Sequence, residues 1–128
     1  MTLRLLLDTH SLIWALDTPE RLPATVRTTF DRPDVAVFVS AASTWEIAIK
    51  TALGRLRFPL AELPRALADA AFEELPVRIG HGLEMAGLPL LHRDPFDRLL
   101  IAQARYEHLT LVTCDVAIRR YPVGTLWD

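Results

Sequence analysis

Cysteine and lysine each occur once in these 128 residues, as Cys114 and Lys50, and glycine occurs only five times. A single cysteine excludes an intramolecular disulfide. No apolar run approaches the ~20 residues that span a bilayer, so a membrane role has no support. Leu3 to Leu7 is interrupted by Arg4 and stops at Asp8, which is not the apolar core of a secretory signal, and a cytoplasmic protein is expected. A strong excess of one charge is also missing: the formal net charge is -2, which argues against polyanion binding driven by bulk charge. With 51% apolar residues and no low-complexity stretch, the composition is that of a folded globular chain, expected to form one domain over residues 1–128 without a disulfide or structural metal as a staple.

Arginine supplies thirteen of the fourteen basic residues. Its planar fork of donors suits phosphate, although genome composition explains the bias equally well.

Strand-like apolar runs alternate with segments of helical period. Leu3 to Leu7 and Val35 to Val39 read as strands, Pro76 to Ile79 as a third, Leu109 to Thr113 as a fourth and Gly124 to Trp127 as a fifth. Between them, helices are expected over Ser11 to Leu16, Pro23 to Phe30, and from the cap Ser40 to about Gly54. Further helices are expected over Leu63 to Leu75, His81 to Ala86, Pro95 to Glu107 and Val116 to Arg120. On the sixth of these, Phe96, Leu99, Leu100 and Ala104 are expected to face inward. This alternation specifies an α/β fold with a central parallel sheet covered by helices on both faces.

Four acids stand where a strand ends or a helix begins: Asp8, Glu46, Asp97 and Asp115. A parallel sheet gathers such positions along one edge, where ligands bind. Each has a plainer reading. Asp8 and Asp115 suit helix N-caps, and Glu46 can complete a capping box with Ser43 or pair with Lys50. Asp97 falls in the first helical turn, where an acid favours the dipole. Within Asp94-Pro95-Phe96-Asp97, Asp94 is the natural cap and Asp97 is left free for other work.

Taken together the four say more. Carboxylates ~4 Å apart repel by about 4 kcal/mol per pair at an effective dielectric near 20, so a cluster needs a cation or raised pKa values. Hard oxygen ligands select Mg²⁺ or Mn²⁺, and no Cys and His spacing points to zinc. One or two such ions can activate water and neutralise charge on a phosphodiester.

Other residues carry less. His10 is either a base or a polar neighbour of the site, and His81, His92 and His108 read as surface residues. Thr113 can orient a carboxylate or bond backbone, and Cys114 reads as a small buried hydrophobe. Trp14 and Trp45 fall at positions suited to core or dimer packing. Arg93 and Arg98 are either phosphate contacts or surface ion-pair partners.

Four fragments in order carry a resemblance along essentially the whole chain. They are Leu6-Leu7-Asp8-Thr9-His10; Trp45-Glu46-Ile47-Ala48-Ile49-Lys50, with Ser40 before it and Gly54-Arg55-Leu56 after; His92 to Ala104; and Leu111-Val112-Thr113-Cys114-Asp115. The chain resembles PIN-domain ribonucleases, most closely the VapC toxins of toxin-antitoxin pairs. The resemblance implies strand order 3-2-1-4-5, a Mg²⁺ or Mn²⁺ site, RNA hydrolysis, a homodimer and neutralisation by a cognate VapB-like antitoxin. It carries the family's acids onto Asp8, Glu46, Asp97 and Asp115, with the polar helper on Thr113. Some PIN domains have a further acid where this chain has Ala117.

A phospho-acceptor receiver domain is the rival from a non-hydrolytic class. It needs paired acids near the first strand and a lysine at the end of a late one, whereas Asp8 has no acidic neighbour and Lys50 shares a helix with Glu46. A haloacid-dehalogenase-type phosphatase wants Asp-x-Asp, and the chain reads Asp8-Thr9-His10. A PIN fold acting only as a binding module is the third alternative.

Overall fold

Leu5 and Leu7 pack into one hydrophobic cluster and Leu6 into another, and all three are fully buried. Such two-sided burial is the condition of a central parallel strand, and each leucine contributes roughly 1.5–3 kcal/mol. The computed structural model describes residues 2–128. In chain order the elements are β1 (Leu3–Leu7), α1 (Thr9–Asp17), α2 (Ala24–Phe30), β2 (Val35–Ser40), α3 (Ala41–Ala52), α4 (Leu63–Asp69), β3 (Glu73–Leu75), α5 (Ile79–Ala86), α6 (Pro95–Glu107), β4 (Thr110–Val112), α7 (Val116–Arg119) and β5 (Thr125–Leu126).

The five strands form one parallel sheet in the order β3-β2-β1-β4-β5, as expected. Leu6 lies opposite Phe38 on one side and Leu111 on the other. On the Leu6 face, Leu100, Ile101 and Ala104 of α6 and Ile118 of α7 complete a core. On the opposite face, Leu12, Val26 and Ile47 bring in α1, α2 and α3. Helices therefore cover both faces. No helix among the described residues is long and apolar enough to cross a membrane.

Three expectations need correction. The helix expected over Leu63 to Leu75 stops at Asp69, because Ala71 takes a left-handed conformation (φ 59°) that breaks it, and Glu73 to Leu75 then form β3. Pro76 to Ile79 is not a strand: Val77 and Ile79 are exposed and Ile79 opens α5. The real edge strand is short and carries two glutamates, chemistry that protects an open edge and hides it from an apolar search. Pro23 is extended (ψ 151°) and precedes the first helical residue rather than being it.

On two helices the buried residues decide or correct the reading of particular side chains. On α3 the buried side is Ala42, Ser43, Glu46 and Ile47, so Trp45 and Leu53 are left exposed and Trp45 is not a core residue. On α6, Leu100 and Ala104 are buried as expected, whereas Phe96 and Leu99 are only partly so, and Arg98 and Gln103 are buried with them. The close approach of α5 to α6 is set by Gly80, where a Cβ would meet the Tyr106 ring at 2.6 Å.

Candidate active site

Parallel strands running the same way deliver their C-terminal ends to one edge. Asp8 follows β1 there, and its N–H continues the ladder by donating to the Val112 carbonyl at 3.1 Å. Thr113 follows β4, donating its N–H to the Leu126 carbonyl at 3.2 Å, and Ser40 ends β2. The helices that begin at this edge carry the remaining acids.

Asp8 is buried and caps α1, its Oδ1 accepting the Ser11 N–H at 2.8 Å. Burial pushes its pKa above the ordinary value, while hydrogen bonds from Ser11 and Thr113 and the nearby His10 pull it back.

Glu46, on the second turn of α3, is also buried. Its Oε1 accepts from Thr9 Oγ1 at 2.7 Å, and its Oε2 pairs with Lys50 Nζ at 2.7 Å. The Lys50 pair is therefore present, though on a buried carboxylate and not on a solvated face. Ser43 does not cap α3; Ser40 does, its Oγ accepting the Ala42 N–H at 3.0 Å.

Asp97 is perturbed in the same direction as Asp8. Its pKa is pushed up to about 6, first by burial, then by the negative charge of Asp94, with smaller contributions from Glu46 and Asp8; a hydrogen bond with His92 opposes them. Acids from β1, α3 and α6 thus act on one carboxyl. Asp94 is the cap it was expected to be, its Oδ1 accepting from the N–H of Phe96 at 2.8 Å and of Asp97 at 3.3 Å.

Asp115 is half-exposed and caps α7 through the Ala117 N–H at 2.8 Å. Its own N–H donates to Thr113 Oγ1 at 3.0 Å, so the buried threonine links the Asp8 and Asp115 loops. Thr113 thus bonds backbone, one of its two expected roles, and its hydroxyl also lowers the pKa of Asp8.

The group missed by the sequence reading is His92. It is not an ordinary surface residue: Nε2 lies 3.0 Å from Asp97 Oδ2 and 3.8 Å from Asp115 Oδ2. His92, Asp97 and Asp115 together present ligand-type atoms within 4.8 Å of one another. The available signal was local, a histidine five residues before Asp97 with a capping Asp-Pro between them.

Other expectations are revised. His81 is fully buried, accepting the Arg78 N–H on Nδ1 at 2.9 Å and donating from Nε2 to Glu107 at 2.8 Å, which locks α5 to α6. Arg98 is buried and donates to the carbonyls of Met85 and Leu88 at the end of α5, so it holds the scaffold and does not face a phosphate. Cys114 is exposed, not buried, because it follows the last ladder residue; partial loss of hydration and the charges of Asp8 and Asp115 push its thiol pKa up. Trp14 is half-buried, its ring under the Arg21 guanidinium at 4.5 Å. His10, His108 and Arg93 are exposed.

The donor set fits a hard divalent cation. Asp97 and Asp115 converge from separate elements, and the ionised form of Asp97 is opposed by its neighbours, a condition that a cation relieves.

Comparison with known proteins agrees with this architecture. Residues 5–124 match the PIN domain family. No curated protein matches the chain at the sequence level. Among solved structures, VapBC2 from Rickettsia felis bound to a DNA fragment from their promoter aligns with a TM-score of 0.75 and 16% identity, covering 98% of this chain and 100% of that one. DNA-bound VapBC from Salmonella typhimurium aligns at 0.68 and 16%, covering 98% of each chain. FitAcB from Neisseria gonorrhoeae aligns at 0.65 and 18%, covering 95% and 96%.

Proposed function

Because this chain belongs to the PIN domain family, we propose that it is a Mg²⁺- or Mn²⁺-dependent endoribonuclease and the toxin of a VapBC-type toxin-antitoxin pair. The observation that carries the reading is the convergence of Asp97 and Asp115 at the C-terminal edge of the sheet, with ionisation of Asp97 opposed by burial and by the charges of Asp94, Glu46 and Asp8. Asp97 and Asp115 would hold the ion with Asp8, and Glu46 would complete the acidic wall. A bound divalent ion lowers the pKa of its water and offsets charge developing on a phosphodiester.

The chain's own residues account for the rest. Thr9 and Lys50 fix both oxygens of Glu46, so this carboxylate keeps one orientation. Thr113 holds the Asp115 loop against Asp8. These contacts are made by residues on α1 and α3 and at the end of β4, and a site built on rigid elements keeps the geometry that in-line displacement demands.

A VapB-like antitoxin is the proposed partner, supported by the VapBC complexes among the aligned structures. A homodimer is proposed on the exposed apolar stripe of Trp45, Ile49 and Leu53 along α3. The proposed location is the cytoplasm, where RNA is available. The only lysine is bound to Glu46, which weighs against a receiver-type phospho-acceptor.

Purified protein is expected to cleave RNA with Mg²⁺ or Mn²⁺ and to stop when EDTA is added. Asp8→Asn and Asp97→Asn should abolish cleavage. Undiminished cleavage in either variant, or in EDTA, sinks the assignment.

A further inference from the structure

His92, Arg93 and Asp94 form a short loop that delivers one ring nitrogen to each of two different tasks. Arg93 N–H donates to His92 Nδ1 at 3.1 Å, so Nδ1 carries the lone pair. A neutral imidazole has one proton, which is then on Nε2, the nitrogen 3.0 Å from Asp97 Oδ2. The placement is built locally. Pro95 holds Asp94 extended (ψ 115°), Asp94 caps α6 through the amides of Phe96 and Asp97, and the loop turns His92 back over the first helical turn. From there Nε2 also faces Asp115 Oδ2, at 3.8 Å, across the end of β4.

We propose that His92 is a positioning residue for the nuclease site, a fixed Nε2–H donor that holds the Asp97 carboxylate beside Asp115 and is not itself a metal ligand. The inference rests on the metal-dependent reading above. Its specific content is the tautomer. For Nε2 to bind a cation, the proton would have to move to Nδ1, where it would face the Arg93 N–H, donor against donor. The arrangement instead has the form common around metal sites, in which a ligating carboxylate is oriented by a neighbour that never touches the ion. Such a donor steadies the ionised form of Asp97, against which Asp94, Glu46 and Asp8 all place negative charge.

The tautomer is read by ¹⁵N NMR of the metal-free protein at a pH where the ring is neutral. Among four histidines, the His92 signals are those lost in His92→Gln. A proton on Nε2 and a lone pair on Nδ1 are expected; the reverse overturns the proposal. Mn²⁺ binding is then followed by electron paramagnetic resonance. His92→Ala should weaken binding about 10- to 100-fold, while His92→Gln, which keeps a donor near the Nε2 position, should stay within about 3-fold of the parent. Pulsed measurements should show no directly bound imidazole nitrogen. A nitrogen coupling that vanishes in His92→Ala, or Mn²⁺ binding unchanged by that substitution, overturns the proposal. Parent protein that takes up no Mn²⁺ sinks the metal reading instead, and the tautomer still decides the assignment of His92.

Discussion

Thr9 Oγ1 donates to Glu46 Oε1 at 2.7 Å, joining the first turn of α1 to α3 across 37 residues of sequence. Thr9 Oγ1 also lies 3.1 Å from Ser43 Oγ, and both threonine and glutamate are buried. The bond therefore fixes a carboxylate in a place where water cannot replace the donor.

Thr9→Val keeps the shape and removes that donor. Leaving a buried carboxylate oxygen unpaired costs about 1–3 kcal/mol, so the urea midpoint should fall by that equivalent while the folded spectrum is retained. Thr9→Ser, which keeps the hydroxyl, should recover most of the loss. Equal stability of the valine and serine variants would show that the contact has no energetic role.

The metal-free protein should become less stable as pH rises. Asp97 has a folded pKa of about 6 against an ordinary 3.8, so the folded chain holds its proton more tightly than the unfolded chain does. The contribution is fully present below pH 3.8 and is lost as pH passes through about 6, a change on the order of 3 kcal/mol. The raised pKa of Asp8 acts in the same direction. Denaturation from pH 4 to 8 in EDTA should show this decline, and Asp97→Asn should flatten it. A parallel decline in both proteins would assign it elsewhere.

Much of this site was legible in the sequence because its acids follow apolar strands or begin helices, and a parallel sheet collects both kinds of position at one edge. Asp8 after Leu7 and Asp115 after the β4 run are instances, and the Asp94 cap was read from the local sequence in the same way, whereas the strand order came from the resemblance to PIN-domain ribonucleases. What stayed hidden depended on contacts between distant elements or on local backbone. His81 was read as a surface group and Arg98 as a phosphate contact or surface ion-pair partner, because the partners of each lie on another helix. The edge strand Glu73–Leu75 was missed because its charges answer to an open edge and not to burial. His92 needed Asp115, over twenty residues away, to become more than a loop histidine.

Trp45 and Ile49 on α3 and Leu53 at its C-cap fall four residues apart, and Trp45 and Leu53 are each more than 60% exposed. Trp45 rests edge-on against Phe96 at 5.3 Å and turns the rest of its surface outward. Light scattering should give a dimer mass for the parent and a monomer mass for Trp45→Glu, with the helical content unchanged. A monomeric parent protein at micromolar concentration would remove the case for this face.

Asp94 and Asp97 share a helical turn but have different jobs, and the difference can be separated experimentally. Asp94→Ala deletes the acceptor for the Phe96 and Asp97 amides and should cost about 0.5–2 kcal/mol, as loss of an N-cap does. Asp94→Asn keeps an acceptor while removing the charge, so it should preserve most of that stability and lower the Asp97 pKa, since Asp94 is the largest charged contributor raising it. Asp97→Asn should do the opposite of Asp94→Ala: cleavage is lost, while stability in EDTA at pH 8 rises because a carboxylate that is costly to ionise is gone. Carbon-13 NMR of the aspartate carboxyls reads the pKa change, and thermal denaturation beside RNA cleavage reads the rest. Loss of cleavage in Asp94→Asn with an unshifted Asp97 pKa would make Asp94 part of the reacting site and return its assignment as a cap to question.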